Sequence, residues 1–216
     1  MLDRKPFLAE IYEELFRAML GDSKPRLLDI GCGTGFYWNI LRKYCSSVTG
    51  IDSSDAMVHE ARRFVFDRGV VNIQVETGDV GKMKFQSDSF DAVLSMDLLH
   101  HAANVEACLS ESYRVLKAGG KLYVVEPNCL NPLMFLMHAV PKEERRGIYR
   151  NNKFYLLNKM KKYFSNIQHN YINFIISLET LKEADILKDV DRWLTSRRVR
   201  WLSFRQLLIA EKRLYE

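Results

Sequence analysis

The sequence lacks the features that mark membrane-spanning, secreted and repetitive proteins. No apolar run approaches the roughly 18 residues that a membrane-spanning helix needs, and the N-terminal residues mix charges into an amphipathic pattern without a signal-peptide core. The four cysteines (Cys32, Cys45, Cys108 and Cys129) form no CxxC pair, which counts against a zinc site or a disulfide scaffold. With 11 glycines, 5 prolines and no repeat period, collagen-like and solenoid folds are excluded. These absences predict a chain that works in a reducing cytoplasm.

The composition is typical of one globular domain. The 216 residues are 47% hydrophobic and 12% aromatic, which is enough to bury a core and excludes a disordered chain. Lysine and arginine number 32 against 27 aspartates and glutamates, so the net charge is +5. This mild excess permits an anionic partner but does not require one.

Short apolar runs alternate with amphipathic segments over the first 127 residues. The amphipathic segments predict helices that begin near Leu8, Tyr37, Asp55 and Asn104, with Gly21 ending the first and Gly119–Gly120 the last. Strands alternating with helices predict an α/β fold with a largely parallel sheet and helices on both faces. The predicted strands are residues 26–30, 48–51, 73–77, 90–95 and 121–125.

The pattern is less regular after Pro127. Residues 145–164 are basic and predict a helix, and residues 167–176 and 203–210 predict two last strands. No linker is visible, so a single domain is expected. Its predicted parts are an N-terminal helix (1–22), a ligand-binding core (26–127), an insertion (128–166) and C-terminal strands (167–216).

The strongest local signal is the run LLDIGCGTG at residues 27–35. It predicts a strand, a tight glycine turn and the start of a helix. Gly31, Gly33 and Gly35 allow positive φ and let the backbone approach a ligand closely, and the open ends of parallel strands are where such sheets bind ligands. The spacing is GxGxG, unlike the GxGxxG of the pyrophosphate-binding fingerprint. A purely structural turn is the alternative interpretation.

Aspartates follow the next two predicted strands. Asp52 ends the second strand, where a carboxylate can accept hydrogen bonds from both hydroxyls of a ribose; the alternative is a cap for the helix that begins near Ser53. Asp79, within Gly78-Asp79-Val80 after the third strand, can contact an adenine edge, or it can be an ordinary turn residue. The order of these features at three successive strand ends makes coincidence a poor explanation.

Five segments carry a family resemblance: LLDIGCGTGFY, GIDSSDAM, GDV, FDAVLSMDLLHH and YRVLKAGGKLYVVEPN. In this order they resemble the class I S-adenosylmethionine (SAM)-dependent methyltransferases of the small-molecule type 11 branch, over residues 8–128. The resemblance implies a Rossmann-like, mostly parallel sheet of seven strands with a C-terminal antiparallel hairpin. It also implies SAM as cofactor, S-adenosylhomocysteine as product, and methyl transfer to an O, N or C atom of a small or lipid-like molecule.

The resemblance also assigns roles within the cofactor site. The methionine part of SAM would be held mainly through backbone groups and water. The residues implied are Asp29, Gly31, Cys32, Gly33 and Gly35 for the methionine part, Asp52 for the ribose, Ser53, Met57, Asp79 and Val80 for the adenine, and Ser95 for the amino and methyl end.

Catalysis by such an enzyme is mainly positioning, because SAM carries an activated methyl group. No Ser/His/Asp set or metal-ligand cluster stands in the sequence, and no metal is predicted. The candidate general bases are His100 and His101, just past the fourth strand, since histidine titrates near neutral pH. The alternative is that one packs under the next helix and the other lines the pocket passively. Tyr12 of the N-terminal helix would either cover the cofactor or pack on the outside.

Partners and alternatives stay open at this point. The basic, aromatic region 142–162 would suit an anionic or lipid-linked acceptor or a membrane surface, although solvated helix faces with this composition are far more common. No nucleic-acid partner is predicted, because no recognition module is visible. The alternative functions are a non-catalytic SAM-binding protein and an NAD-dependent oxidoreductase, the latter disfavoured by GxGxG and by Gly78-Asp79-Val80. The sequence does not indicate the acceptor or the oligomeric state.

Overall fold

The computed structural model describes residues 6–139, 152–172, 193 and 200–213. Two short 3₁₀ turns, Arg42–Tyr44 and Arg200–Leu202, accompany the helices and strands. The helices are α1 (Pro6–Leu20), α2 (Trp38–Leu41), α3 (Asp55–Asp67), α4 (Val105–Val115), α5 (Pro132–Ala139) and α6 (Lys153–Met160). The strands are β1 (Arg26–Ile30), β2 (Ser47–Asp52), β3 (Ile73–Thr77), β4 (Phe90–Met96), β5 (Leu116–Pro127), β6 (Phe164–Ile172) and β7 (Arg205–Lys212).

The seven strands form one sheet in the order β3-β2-β1-β4-β5-β7-β6. Strands β1 to β5 pair in parallel with their neighbours, whereas β7 runs antiparallel to both β5 and β6. The predicted fold class is therefore confirmed, including the C-terminal antiparallel pair. The strand order reverses between β1 and β4, and sheets of this kind open a ligand crevice at such a point.

Both faces of the central strands β1, β2 and β4 are buried, as the continuous apolar strands predict. Because side chains alternate along a strand, Leu27 packs with Phe16 and Trp38 on one face, and its neighbour Leu28 packs with Leu109 and Leu156 on the other. Each face therefore has its own apolar cluster, and the sheet that carries the ligand edge is held rigidly between them.

Helix α1 is amphipathic over 15 residues and buries Phe16 and Met19. Gly21 follows it with φ +53°, and its N–H donates to the carbonyl of Arg17 at 2.9 Å, so the predicted glycine stop is confirmed. Within the described part of the chain, no helix combines the length and apolarity needed to cross a membrane.

Side-chain oxygens cap the start of four described helices, α3 to α6; at α5, Asn131 Oδ1 accepts the N–H of Met134 at 3.0 Å. Asn104 Oδ1 accepts the N–H of Ala107 at 3.0 Å and caps α4, as the sequence predicts. Asn152 caps α6 in the same way, through the N–H groups of Phe154 and Tyr155. At α3 the cap is Ser54, so the alternative interpretation of Asp52 as the cap of this helix is wrong.

The junction between α4 and β5 differs from the prediction. The helix ends at Val115, and Gly119 and Gly120 lie inside β5, where the register with β4 shifts. A Cβ on Gly120 would lie 2.8 Å from the carbonyl oxygen of Lys117 and 3.0 Å from that of Asp91. The glycine pair therefore allows two backbone segments to approach within a bulged strand; it does not end the helix.

The C-terminal third also departs from the predicted boundaries. Within the predicted helix 145–164, the described helix is α6, and Phe164 is instead the buried first residue of β6, paired with Lys212. The strand predicted at 167–176 therefore begins earlier, and the strand predicted at 203–210 shifts to Arg205–Lys212. Residues 145–151 and 173–176 lie outside the described residues.

A buried lysine fixes the end of β7. The Lys212 side chain is 1% exposed, and its ammonium donates to the carbonyl of Leu116 at 2.6 Å and pairs with Asp88 at 2.7 Å. It also lies 4.7 Å from the ring centroid of Tyr113. A buried charge needs such partners, so β7 is fastened to the start of β5 as well as paired along it.

Candidate cofactor and acceptor site

The carboxyl ends of the parallel strands meet at one edge of the sheet. Ile30 at the end of β1 pairs with Ile51 in β2 and with Ser95 in β4, and Asp52 pairs with Thr77 in β3. The predicted segments therefore come together in space. We divide this edge into the β1–β3 side (residues 31–35, 52–57 and 78–81) and the β4–β7 side (residues 95–101, 126–128 and 205).

The glycine turn after β1 contains one position that opens onto free space. Gly31, Gly33 and Gly35 have φ values of +67°, +52° and +69°. A Cβ on Gly35 would lie 2.4 Å from the ring of Trp38, whereas a Cβ on Gly33 would meet nothing within 4 Å. Packing therefore requires glycine at position 35, and Gly33 leaves a backbone surface that a ligand can approach.

Asp52 shapes this turn from the neighbouring strand. Its Oδ2 accepts the N–H of Gly33 at 2.9 Å, and its Oδ1 accepts the N–H of Ser54 at 2.9 Å. Each carboxylate oxygen has a second lone pair, so Asp52 can hold the turn and still accept hydrogen bonds from a ligand. Sequence reasoning predicted Asp52 as a ligand residue and missed its contact with the turn.

Asp29 lies in the interior of the protein. Its carboxylate accepts from the Tyr37 hydroxyl at 2.8 Å and from Trp38 Nε1 at 2.7 Å, and the residue is fully buried. Burial raises the pKa of Asp29 to about 7, against the opposing effect of these hydrogen bonds. Its carboxylate therefore ties the end of β1 to the start of α2, and its contact with a cofactor stays a prediction.

Two other predicted site residues turn inward. Cys32 is buried in the apolar cluster against α2, and burial raises the pKa of its thiol well above the ordinary value. Ser95 is fully buried, and its Oγ has no hydrogen-bond partner among the described residues. Both side chains are therefore buried, and their contacts with a cofactor stay predictions.

The predicted adenine-side residues lie at the rim of the β1–β3 side. Ser53, Met57 and Asp79 are exposed, and Val80 is half-buried against the α4 face. Asp79 Oδ1 accepts the N–H of Gly81 at 2.8 Å, which fixes the carboxylate just past β3. These four residues therefore surround the outer part of the edge.

On the β4–β7 side, a buried glutamate organises the loop after β4. Glu126 Oε1 accepts the N–H groups of Leu98 at 3.1 Å and Leu99 at 2.6 Å, and Oε2 lies 2.6 Å from Nδ1 of His100. Glu126 is fully buried and His100 nearly so, whereas His101 is exposed; its ring lies tilted against that of His100, with 3.9 Å between the ring centroids. Sequence reasoning missed Glu126, although a carboxylate ending the apolar run KLYVVEP was a usable signal.

An ion pair joins the same loop to β7. Arg205 Nη2 donates to Asp97 Oδ2 at 2.5 Å, and the guanidinium also hydrogen-bonds Tyr12 of α1. Asp97 adopts φ +53°, and its Oδ1 is buried without a hydrogen-bond partner in the described part of the chain. This oxygen therefore has unused acceptor capacity beside the end of β4.

The described residues hold no group of three or more His, Cys, Asp or Glu side chains that could bind a metal ion.

The fold of the sheet and the residues at its carboxyl edge together define a Rossmann-like domain that binds a ligand at the strand ends. A glycine turn follows β1, and a carboxylate follows β2. Known proteins agree with this class: residues 28–124 match the family model described as a methyltransferase domain.

Sequence relatives fall in the same family. The uncharacterized methyltransferase YcgJ of Bacillus subtilis is 33% identical over 101 residues, which are 47% of this chain and 40% of that protein. The demethylmenaquinone methyltransferase of Tropheryma whipplei is 30% identical over 161 residues, 74% of this chain and 62% of that protein. A sterol 24-C-methyltransferase of Gibberella zeae is 33% identical over 103 residues, 47% of this chain and 27% of that protein.

Solved structures agree in fold. The crystal structure of YcgJ superposes with a TM-score of 0.70 at 18% identity, covering 95% of this chain and 99% of that one. Phosphoethanolamine N-methyltransferase 2 of Haemonchus contortus, in complex with SAM, gives a TM-score of 0.68 at 20% identity, covering 93% and 52%. Over residues 28–124 the chain is similar to the class I SAM-dependent methyltransferases of the type 11 branch. It spans less than two thirds of the length of each sequence relative named above.

Proposed function

We propose that this chain transfers a methyl group from SAM to an O, N or C atom of a small or lipid-like molecule, leaving S-adenosylhomocysteine. The observation that carries the proposal is the pairing of Gly33 with Asp52. The carboxylate holds the N–H of Gly33 at 2.9 Å, beside a backbone position that opens onto free space. A nucleoside ligand needs this combination of close backbone approach and a ribose-binding carboxylate.

The other predicted contacts fit the chemical groups of SAM. Asp52 would accept from the ribose hydroxyls and Asp79 from the adenine amino group, and the open backbone at Gly33 would face the methionine part. The β1–β3 side would thus bind the cofactor.

The chemistry divides between the cofactor and the chain. SAM supplies a methyl group already activated on a sulfonium. The residues of this chain bind, orient and exclude water, and for some acceptors they hold a proton. His100 and His101 are the proposed candidates for that last task, because both lie in the loop that follows β4.

Two observations support a small or lipid-like acceptor. The matched relatives include enzymes named for sterol and menaquinone methylation. On this chain, α5 has the sequence PLMFLMHA and exposes Leu136, and the preceding turn exposes Leu130, so an apolar surface lies just past the end of β5. The single-domain division, the cytoplasmic location and the absence of a nucleic-acid partner stay predictions.

Calorimetry with SAM, S-adenosylhomocysteine and NAD tests the proposal. We expect both sulfur compounds to bind and NAD to bind far more weakly. Tighter binding of NAD would overturn the proposal in favour of an oxidoreductase. Incubation with methyl-labelled SAM and a metabolite extract should then yield a labelled product, and binding without any product would indicate a non-catalytic SAM-binding protein.

A further inference from the structure

One buried amide joins the end of β5 to the start of β7. Asn128 is 1% exposed, and its Nδ2 donates to the carbonyl oxygens of Trp201 and Ser203, each at 2.7 Å. Its Oδ1 accepts the N–H of Leu130 at 3.1 Å. A buried amide whose donors and acceptor are used in this way fixes both backbones. The turn at Leu130 and the turn at Trp201 are therefore held side by side.

The side chains on these two turns are exposed although they are apolar. Leu130 is 38% exposed and Trp201 46%, and Leu136, on the second turn of α5, is 61% exposed. Asn131, the cap of α5, also donates to the carbonyl of Leu202, so α5 is fastened to the same turn. We call Leu130, Leu136 and Trp201 the apolar patch. Single exposed apolar residues are ordinary on a protein surface, whereas a fixed group of them marks an interaction site.

A lysine and two aromatic rings lie at the same end of the sheet. Lys153 Nζ donates to the Tyr171 hydroxyl at 3.2 Å and lies 5.0 Å from the ring centroid of Phe154, which is 64% exposed. Tyr171 lies in β6 and pairs with Gln206 of β7, and the 3₁₀ turn Arg200–Leu202 contacts β6. This end of the sheet therefore combines exposed apolar side chains, aromatic rings and a cation, as surfaces at the lipid–water boundary do.

Charge is divided unevenly along the chain. Residues 1–127 hold 15 lysines and arginines against 18 aspartates and glutamates, whereas residues 128–216 hold 17 against 9. The part of the sequence that contains the apolar patch is therefore positive, and the part that contains the glycine turn is slightly negative. Lysine and arginine side chains near an anionic lipid surface each strengthen binding to it.

We propose that the apolar patch docks on the surface of an anionic lipid bilayer. Such a bilayer offers an apolar layer for the patch and negative headgroups for the basic part of the chain. A nucleic acid offers phosphates without an apolar layer, and a second copy of this chain would bring the same positive excess against itself. Because the patch follows the end of β5, an acceptor drawn from the bilayer would reach the carboxyl edge on its β4–β7 side; this consequence rests on the proposed function.

Cosedimentation with vesicles tests the choice of partner. The vesicles are phosphatidylcholine alone, and phosphatidylcholine mixed equally with phosphatidylglycerol. We expect the anionic vesicles to bind the chain about tenfold more tightly than the neutral ones, with the difference lost at high salt. Equal binding to both kinds of vesicle, or no binding to the anionic kind, would overturn the proposal.

Tryptophan fluorescence tests the surface without removing the patch. Of the three tryptophans, Trp38 is fully buried, whereas Trp193 and Trp201 are 55% and 46% exposed. In Trp193→Phe the exposed reporter is therefore Trp201. We expect its emission to shift to shorter wavelength on anionic vesicles, because the indole leaves water. Unshifted emission from chain that has bound vesicles would show that another surface makes the contact, and would overturn the proposal.

Substitutions compare the patch with an equally apolar site elsewhere. Leu136→Ser and Trp201→Ser should each weaken vesicle binding about tenfold. Phe66→Ser is the matched control, because Phe66 is 86% exposed on α3, which packs on β3 at the opposite edge of the sheet. Its vesicle binding should equal that of the wild type. Unchanged SAM affinity in all three variants verifies their folding, and an equal loss of vesicle binding in Phe66→Ser would contradict the assignment.

Two further measurements separate the other occupants. A dimer in sedimentation equilibrium that dissociates in Leu136→Ser would overturn the proposal in favour of a second copy, and tighter binding to an RNA of unrelated sequence than to anionic vesicles would overturn it in favour of a nucleic acid. We expect a monomer and the weaker binding to RNA. Vesicle binding needs no SAM, so failure of the wild type to bind SAM would overturn the proposed function and not the docking surface.

Discussion

The two sides of the carboxyl edge are assembled from contacts of very different sequence range. On the β1–β3 side, Asp52 binds residues 2 and 19 positions away, and Asp79 binds a residue 2 positions away. On the β4–β7 side, Arg205 reaches Asp97 across 108 positions, and Asn128 reaches the carbonyl of Ser203 across 75. The first side is therefore built mainly from local motifs, and the second depends on the completed sheet.

The difference separates two kinds of function. A cofactor common to a whole family needs the same short contacts in each member, so a local motif suffices. The β4–β7 side draws its polar groups from α1, the loop after β4, β5 and β7, and each element can change independently. Acceptor specificity on this chain should therefore be altered by substitutions that leave SAM binding intact.

The largest expected effect concerns the buried carboxylate behind the glycine turn. In the folded chain the pKa of Asp29 is about 7, whereas in the unfolded chain it is near the ordinary value for aspartate. Between these two pKa values the folded chain binds the proton more tightly, so the free energy of unfolding falls as pH rises. In Asp29→Asn this loss, on the order of 4 kcal/mol, should be absent, because the amide cannot ionise. Urea unfolding from pH 4 to pH 8 measures it, with the exposed Asp67→Asn as control. Parallel stability profiles for wild type and Asp29→Asn would show that the carboxylate ionises freely.

The next effect is on cofactor affinity. Asp52→Ala removes the acceptor for Gly33 and the proposed ribose contact, and should weaken SAM binding by about 1–3 kcal/mol. Calorimetry measures the change, and Glu60→Ala, which removes an exposed carboxylate from α3, is the control. An unchanged dissociation constant for Asp52→Ala would count against the ribose assignment.

A substitution on the β4–β7 side should leave the affinity for SAM unchanged. Arg205→Met removes the ion pair with Asp97, which is partly exposed, so we expect a loss of about 1 kcal/mol of stability and a SAM affinity within about twofold of the wild type. Lys117→Met breaks an exposed pair with Asp91 and serves as control. A large loss of SAM affinity in Arg205→Met would contradict the proposed division between a cofactor-binding β1–β3 side and an acceptor-binding β4–β7 side.

The smallest expected difference compares two helix caps, Ser54 within the β1–β3 side and Asn104 just past the β4 loop. Asn104→Ala and Ser54→Ala each remove a cap at a cost of about 1 kcal/mol. The Asn104 contact is 3.0 Å and that of Ser54 is 3.4 Å, so Asn104→Ala should be the more destabilising. Thermal unfolding of both variants checks the order, and the reverse order would mean that the cap distances do not govern the cost.

Much of the fold could be predicted from sequence because its signals are periodic and local. The strand runs, the glycine stop at Gly21 and the cap at Asn104 each depend on a few adjacent residues. Gly119–Gly120 misled the boundary prediction, since a glycine pair that ends a helix and one that allows a bulge look alike in one dimension. The carbonyl of Asp91 lies close to Gly120 only because β4 pairs with β5, and the sequence does not show this pairing.

The site could be predicted only where its residues form local motifs. Gly33 and Asp52 stand in a recognisable order, whereas nothing in the sequence connects Glu126 with His100 or Asp97 with Arg205. Burial is another property that the sequence does not show: Ser95 and Asp29 stand near strand ends, and both are fully buried. Such contacts require the strand order and the register.

The position of β7 sets an order of events during synthesis. This strand, the last described element, lies between β5 and β6, and Lys212 at its end is held by Asp88 and by the carbonyl of Leu116. Until residues 205–212 have left the ribosome, β5 is an open sheet edge and β6 has no neighbour to pair with. The β1–β3 side can form on a nascent chain well before that moment, whereas the partner of Asp97 arrives only with β7. A ribosome-bound chain could therefore acquire its nucleoside pocket before it can select an acceptor.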